Sequence, residues 1–248
     1  MYQFFVEEEQ VQEDENRIVI TGSDVNHISN VLRMKTGEKI RISSTKGCSY
    51  FCKIAELTMD EVIAKIEAVD ETGTELSNNI YLFQGLPKSD KMELVIQKAV
   101  ELGVYEVIPV SMKNCVVKLD EKKAQGKRKR WQAIAESAAK QSKRTMIPQI
   151  HEVLSFKEAV QTAQELDIAL VPYENERGMD ATRELLHGIR RGQSIGVFIG
   201  PEGGFAPEEI AMVAEQESMY KISLGRRILR TETAGLATLA MLVYELDD

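Results

Sequence analysis

The chain has 248 residues, 43% of them hydrophobic and 28% charged, so it can bury one large core or two modest ones. It contains no apolar run of about 18 residues, and its N-terminal segment lacks the basic and apolar regions of a secretory signal. The three cysteines, Cys48, Cys52 and Cys115, show no zinc-site spacing. These features predict a cytoplasmic protein that neither spans a membrane nor holds a metal.

The net charge of −8 is distributed unevenly along the chain. Residues 1–16 hold six acids and no base, whereas residues 118–144 hold ten bases against three acids. A basic segment in an acidic chain suggests a local anionic partner such as RNA. A solvated helix face explains the same run of charges equally well.

Residues 1–70 carry the pattern of a small β-barrel. Alternating or clustered β-formers predict strands at residues 17–20, 39–43 and 49–54, and a short helix fits Asp24 to Arg33. The polar stretch 70–79 is rich in turn formers and predicts a linker.

After residue 80 the pattern changes to alternating strands and helices. Apolar runs predict strands at residues 80–84, 106–110, 168–173, 195–199 and 220–224. Helical periodicity predicts five helices. The first begins after Ser89 or Asp90 and ends at Gly103, and the others span residues 127–142, 180–190, 208–217 and 231–246. Nearly continuous apolar strands separated by helices predict a parallel sheet that is covered on both faces.

Three strand ends are candidates for a ligand site, because open parallel sheets bind ligands beyond the carboxyl ends of their strands. They are residues 170–174, 199–205 and 223–234. The segment 199–205 holds three glycines, but it has neither the spacing of a dinucleotide fingerprint nor that of a phosphate loop. A tight turn between strand and helix explains these glycines most simply.

The third strand end is harder to explain as a turn. Thr231 is an ordinary helix cap and Glu232 suits a first helical turn, but neither accounts for Arg226, Arg227 and Arg230 beside them. Three arginines at one strand end indicate an anionic or electron-rich ligand. Elsewhere the chain shows no nucleophile elbow and no metal-ligand spacing.

Several motifs together resemble the ribosomal RNA small-subunit methyltransferase E family, the uridine N3-methyltransferases of the SPOUT class. The most specific are Ile-Gly-Pro-Glu-Gly-Gly-Phe at 199–205 and Leu-Gly-Arg-Arg-Ile-Leu-Arg-Thr-Glu-Thr-Ala at 224–234. Weaker matches lie at 27–33, 88–91 and 98–103, so the resemblance covers nearly the whole chain. One departure is Lys140, where the family often has a glutamate, so no role of that glutamate carries over.

The resemblance implies an α/β fold with two domains. Residues 1–72 would form a PUA-like RNA-binding β-barrel, and residues 73–248 a SPOUT methyltransferase domain whose parallel sheet contains a deep trefoil knot. The enzyme would be a homodimer that forms 3-methyluridine in 16S rRNA of the small ribosomal subunit.

The same resemblance implies the site residues. S-adenosylmethionine would be the cofactor, held at Val171, Pro172, Ile199, Gly200, Pro201, Gly203, Leu224, Gly225 and Leu229. RNA would be contacted by Arg33, Lys88, Lys91, Gln141 and Arg144.

Methylation at N3 of uracil requires loss of the N3 proton and stabilisation of the resulting anion. Arg230 is the predicted anion stabiliser, and Glu232 is a candidate base. Two alternatives stay open, namely loss of the proton to water and a purely structural role of Glu232 at the helix start. At the level of function, the alternatives are a non-catalytic RNA-binding assembly factor and a SPOUT methyltransferase acting on another RNA position.

Overall fold

In a computed structural model the chain divides into two units. The N-terminal unit comprises Met1–Glu75 and Ala139–Ile147, and the C-terminal unit comprises Leu76–Ala138 and Pro148–Asp248. The structure describes residues 1–45, 47–71 and 73–247. Thr72 and Asp248, which end the two predicted domains, lie outside the described residues. No local sequence pattern predicts that residues 139–147 belong to the N-terminal unit.

The N-terminal unit is a six-stranded sheet with the strand order β1-β4-β5-β6-β3-β2. Its strands are β1 (Tyr2–Val6), β2 (Val11–Gln12), β3 (Arg17–Thr21), β4 (Lys39–Ser44), β5 (Ser49–Leu57) and β6 (Glu61–Asp70). Helix α1 (Ser23–Asn26) continues as a π-turn through His27–Val31, which confirms the predicted short helix.

Alternation along the strands builds the core of this unit. Ile18 and Ile20 on β3 are almost fully buried, and so are Ile40 and Ile42 on β4. Side chains two residues apart point to the same face of a strand, so each strand delivers a row of apolar groups to one core. Each such isoleucine contributes about 1.5–3 kcal/mol when fully buried.

The C-terminal unit is built on a parallel sheet with the order β10-β8-β7-β12-β11-β13, and β9 pairs with β8. Its strands are β7 (Asn79–Gly85), β8 (Glu106–Ser111), β9 (Gln149–Ile150), β10 (Leu154–Ser155), β11 (Ile168–Pro172), β12 (Ser194–Ile199) and β13 (Met219–Ile222). Its helices are α2 (Lys91–Glu101), α3 (Glu121–Ser142, of which residues 139–142 belong to the N-terminal unit), α4 (Phe156–Ala163), α5 (Asp180–His187), α6 (Pro207–Ala214) and α7 (Thr231–Leu246). The predicted α/β class with a parallel sheet is confirmed, and the trefoil knot stays a prediction.

The central strands are buried almost throughout, as expected for a sheet covered on both faces. Phe83 on β7 stacks on Phe198 of β12 with 4.2 Å between ring centroids. Such a pair contributes about 0.5–1.5 kcal/mol beyond its burial. It fixes the two middle strands against each other.

The predicted element bounds differ from the observed ones in places. Helix α3 begins at Glu121 rather than at 127, because the helix continues through Gly126. Helix α4 was not predicted, although Ser155 and Glu158 form a capping box that marks its start. Strand β13 ends at Ile222, so Ser223 and Leu224 lie in the following loop and not in the strand.

Candidate functional site

A cavity of about 890 Å³ lies at the carboxyl ends of β11 and β12 and beside the loop that follows β13. Its volume falls within the range of small-molecule sites. Seven of the nine predicted cofactor residues line it: Pro172, Ile199, Gly200, Pro201, Leu224, Gly225 and Leu229. Parallel pairing of β11 with both β12 and β13 brings the three strand ends to one edge of the sheet.

The other two predicted cofactor residues do not line the cavity. Val171 is fully buried inside β11. At Gly203, an added Cβ would lie 2.9 Å from Cβ of Asn114, so a side chain there would force a shift. Asn114 also donates its side-chain amide to the carbonyls of Gly203 and Gly204, at 3.1 and 3.2 Å. Gly203 therefore serves the tight packing of the turn.

Thr231 connects the β12–α6 loop (Gly200–Ala206) to the sheet. Its hydroxyl donates to the carbonyl of Gly200 at 2.6 Å and accepts from Nε2 of Gln84 at 2.9 Å. Gln84 is fully buried on β7. Thr231 is the first residue of α7 and Arg230 occupies the N-cap position, so the prediction that Thr231 caps this helix is wrong.

The far end of the β12–α6 loop is held by the buried carboxylate of Glu209. It accepts the backbone N–H of Ala206 at 2.7 Å and that of Lys113 at 2.8 Å. A carboxylate shared by two backbone donors makes strong, charge-assisted hydrogen bonds. Glu209 was not predicted as a site residue, although an acid in the first turn of a helix that begins at Pro207 is an available signal.

The β13–α7 loop (Ser223–Arg230) is anchored at its beginning through Ser223. The hydroxyl of Thr182 donates to the carbonyl of Ser223 at 3.2 Å and accepts the N–H of Ser223 at 3.1 Å. Gly225 follows with φ of +101°, a conformation that favours glycine. The hydroxyl of Ser223 accepts the Gly225 N–H at 3.2 Å, which fixes this turn.

Beyond Gly225 the loop carries three exposed arginines, Arg226, Arg227 and Arg230, all lining the cavity. Within the described residues none of the three forms an ion pair. Ile228 between them is 83% exposed. Unneutralised guanidinium groups at the edge of a cavity suit an anionic partner.

Glu232, the candidate base, lies beside the cavity rather than on its lining. Its Oε2 is 3.2 Å from Nζ of Lys91, and the same Nζ is 3.2 Å from Oε1 of Glu202. The nearby carboxylates of Glu202 and Glu232 raise the pKa of Lys91. Burial by itself would raise the pKa of Glu202. The hydrogen-bond donors around its carboxylate, which include its own N–H, the N–H of Lys88 and the ammonium group of Lys91, outweigh burial and lower this pKa below its ordinary value.

The predicted RNA contacts belong to both units. Lys88 is exposed in the C-terminal unit, and Arg33 and Gln141 are exposed in the N-terminal unit. Arg144 is buried in the N-terminal unit and paired with Glu75, with 3.0 Å between Nε and Oε2. An RNA contact by Arg144 would require this ion pair to open.

Two further observations concern the ranges that the structure describes. No helix there combines the length and the apolar character needed to span a membrane. No three His, Cys, Asp or Glu side chains there are grouped as a metal site requires.

Comparison with known proteins agrees with this geometry. Residues 74–243 match the family model of an RNA methyltransferase domain, and residues 20–67 match that of an RNA methyltransferase PUA domain. The chain is 38% identical to ribosomal RNA small subunit methyltransferase E of Bacillus subtilis, over 99% of this chain and 97% of the relative.

Solved structures give the same result. The ribosomal RNA small subunit methyltransferase E of Neisseria gonorrhoeae bound to S-adenosyl methionine is 30% identical, with a TM-score of 0.82 over 98% of this chain and 97% of that one. A putative Legionella pneumophila methyltransferase in complex with the same cofactor is 28% identical, with a TM-score of 0.83 over 98% and 97%. The chain therefore belongs to the ribosomal RNA small subunit methyltransferase E family.

Proposed function

We propose that this protein transfers a methyl group from S-adenosylmethionine to the ring nitrogen N3 of a uridine in 16S rRNA of the small ribosomal subunit. The observation that carries the proposal is the convergence of three strand ends, one rich in glycine and one rich in arginine, on a single cavity of about 890 Å³. The two relatives whose structures contain this cofactor share the fold over nearly the whole chain.

The cavity lining fits the chemistry of S-adenosylmethionine. Ile199, Leu224 and Leu229 offer aliphatic surface for the adenine ring. Side chains of both signs, such as Glu174 and Arg177, suit the zwitterionic methionine part. When bound, the cofactor supplies an electrophilic methyl group on a good leaving group, so the protein has to orient the reactants and manage charge.

Arg230 is the proposed stabiliser of the uridine anion. Removal of the N3 proton spreads negative charge over the two flanking carbonyl oxygens, and a guanidinium donor stabilises that charge. Arg230 lines the cavity, is exposed and has no ion-pair partner in the described part of the chain. Glu232 remains the candidate acceptor of the proton, because its carboxylate is carried two residues from Arg230 in the chain.

The remaining parts of the proposal concern RNA and assembly. N3 lies on the Watson–Crick edge, so the uridine must be unpaired or swung out before it reacts. The N-terminal unit, part of which matches a PUA domain, would bind flanking RNA through Arg33 and Gln141. The proposed enzyme is a cytoplasmic homodimer whose cofactor lies within a trefoil knot.

The test combines cofactor binding with identification of the product. Calorimetry on the full-length protein should show S-adenosylmethionine binding, and small-subunit RNA incubated with both should yield 3-methyluridine by mass spectrometry. A different methylated nucleoside would overturn the N3 assignment while keeping the methyltransferase. RNA binding without cofactor binding would instead favour an assembly factor.

A further inference from the structure

Lys91 connects three chain segments around the cavity. It begins helix α2, and its Nζ lies 3.2 Å from Glu202 in the β12–α6 loop and 3.2 Å from Glu232 in the first turn of α7. The three side chains are partly exposed, with exposed fractions of 29%, 26% and 16% for Lys91, Glu202 and Glu232. Lys91 also lines the cavity itself.

Glu202 is held from a second direction as well. Its Oε1 accepts the backbone N–H of Lys88 at 3.0 Å and also lies 3.2 Å from Nζ of Lys91. Residues 88–91 therefore contact this carboxylate twice, through a backbone donor and through an ammonium group. The two contacts come from residues three positions apart. They fix the β12–α6 loop against the start of α2.

This arrangement is poorly suited to a phosphate contact. One ammonium group shared by two carboxylates forms a cluster with a net negative charge, which offers little attraction to an RNA backbone. Lys88, in the same segment, differs from Lys91 in its exposure and in its ion pairing. It is exposed, and its side chain has no ion-pair partner in the described ranges.

We propose that Lys91 is a positioning residue of the cofactor cavity, whose ammonium group holds Glu202 and Glu232 in one arrangement, rather than an RNA contact. This inference rests on the proposed function and deepens it, because the β12–α6 loop and the start of α7 are then connected through one side chain. Lys91 also fixes the direction in which Oε2 of Glu232 points, and thus the orientation of the candidate base.

The matched pair K91M and K88M tests the assignment, because both remove one charge from the same segment and keep an unbranched side chain of nearly the same length. For K91M we expect S-adenosylmethionine binding to weaken about tenfold, equivalent to about 1.4 kcal/mol. The salt dependence of its RNA binding should stay that of the wild type. For K88M we expect the opposite pattern, with unchanged cofactor affinity and a slope of log K against log salt that is shallower by about 0.7–0.9.

A third variant, K91R, keeps the charge and should recover most of the cofactor affinity. If K91M loses its thermal transition, Glu202→Gln decides instead: it removes a carboxylate that Lys91 holds, and it should weaken cofactor binding and leave the salt slope of RNA binding unchanged. If K91M lowers the salt slope as K88M does and leaves cofactor affinity unchanged, Lys91 contacts RNA and the proposal is wrong. Wild-type protein that binds no S-adenosylmethionine would instead refute the proposed function, so the two failures are distinguishable.

Discussion

The two loops that form opposite parts of the cavity lining are stabilised in different ways. The β12–α6 loop is fixed along its length by Thr231, Asn114, Glu209 and the Lys91–Glu202 pair. The β13–α7 loop is hydrogen-bonded at Ser223 and Gly225, and then carries exposed side chains that lack ion pairs within the described residues.

This difference indicates that the two loops have different roles in binding. A loop whose backbone is already fixed can bind a small ligand with little further loss of its own conformational entropy. A loop with uncompensated arginines has charge available for a large anionic partner, and its groups become ordered only when that partner arrives. We therefore expect substitutions in the first loop to affect stability and cofactor affinity. Substitutions of the exposed arginines in the second loop, Arg226 and Arg230, should affect RNA binding and the rate of reaction.

The largest expected effect belongs to Arg230, in the β13–α7 loop. Arg230→Ala should lower the rate of methyl transfer at saturating substrates by about 100- to 1000-fold, the usual cost of removing one donor that stabilises transition-state charge. Cofactor affinity should change far less. Single-turnover kinetics and calorimetry measure the two quantities, with Arg230→Lys as a control that keeps the charge. Full activity of Arg230→Ala would refute the proposed role.

An intermediate effect is expected for Thr231, which fixes the other loop. Thr231→Val leaves the carbonyl of Gly200 without this donor and should destabilise the protein by about 1–2 kcal/mol. For a chain of this size the melting temperature should fall by roughly 2–8 °C, with weaker cofactor binding.

Thr238→Val is the matched control for Thr231→Val. Thr238 is buried on the same helix, but its hydroxyl donates to the carbonyl of Ala234 within α7. Differential scanning calorimetry should show a smaller loss of stability, and cofactor affinity should not change. Equal losses of cofactor affinity in both variants would mean that the hydrogen bond from Thr231 to Gly200 has no special role in shaping the cavity.

The smallest effect should come from Arg226, in the exposed part of the β13–α7 loop. Arg226→Ala should reduce the slope of log K against log salt for RNA binding by about 0.7–0.9, because one phosphate contact fewer releases fewer counterions. Arg183→Ala is the control, because Arg183 is an exposed arginine of the same unit that pairs with Asp180 away from the cavity. A salt slope that Arg226→Ala leaves unchanged would contradict the distinction between the loops.

Much of the C-terminal unit was predictable from local patterns. The strands at 195–199 and 168–173 are apolar runs in the sequence, and the carboxyl ends of parallel strands share one edge, so the approximate position of the cavity followed. Val171 and Gly203 were predicted, with their neighbours, to hold the cofactor. Val171 is instead buried inside β11, and Gly203 is packed against Asn114, so neither lines the cavity. Glu209 was missed because its importance depends on the distant Lys113.

What the sequence determined by itself was most of the strands and helices of the C-terminal unit, though not α4, together with the order of the three strand ends and the residues that these ends carry. These follow from periodicity and turn chemistry, which act over a few positions along the chain. Only the tertiary structure decided which charges are neutralised. Lys91 meets carboxylates more than 100 positions away and Arg144 is buried against Glu75, whereas Arg226 and Arg230 remain exposed. Ion pairing depends on distances of a few ångströms between segments far apart in the chain, which no local pattern contains.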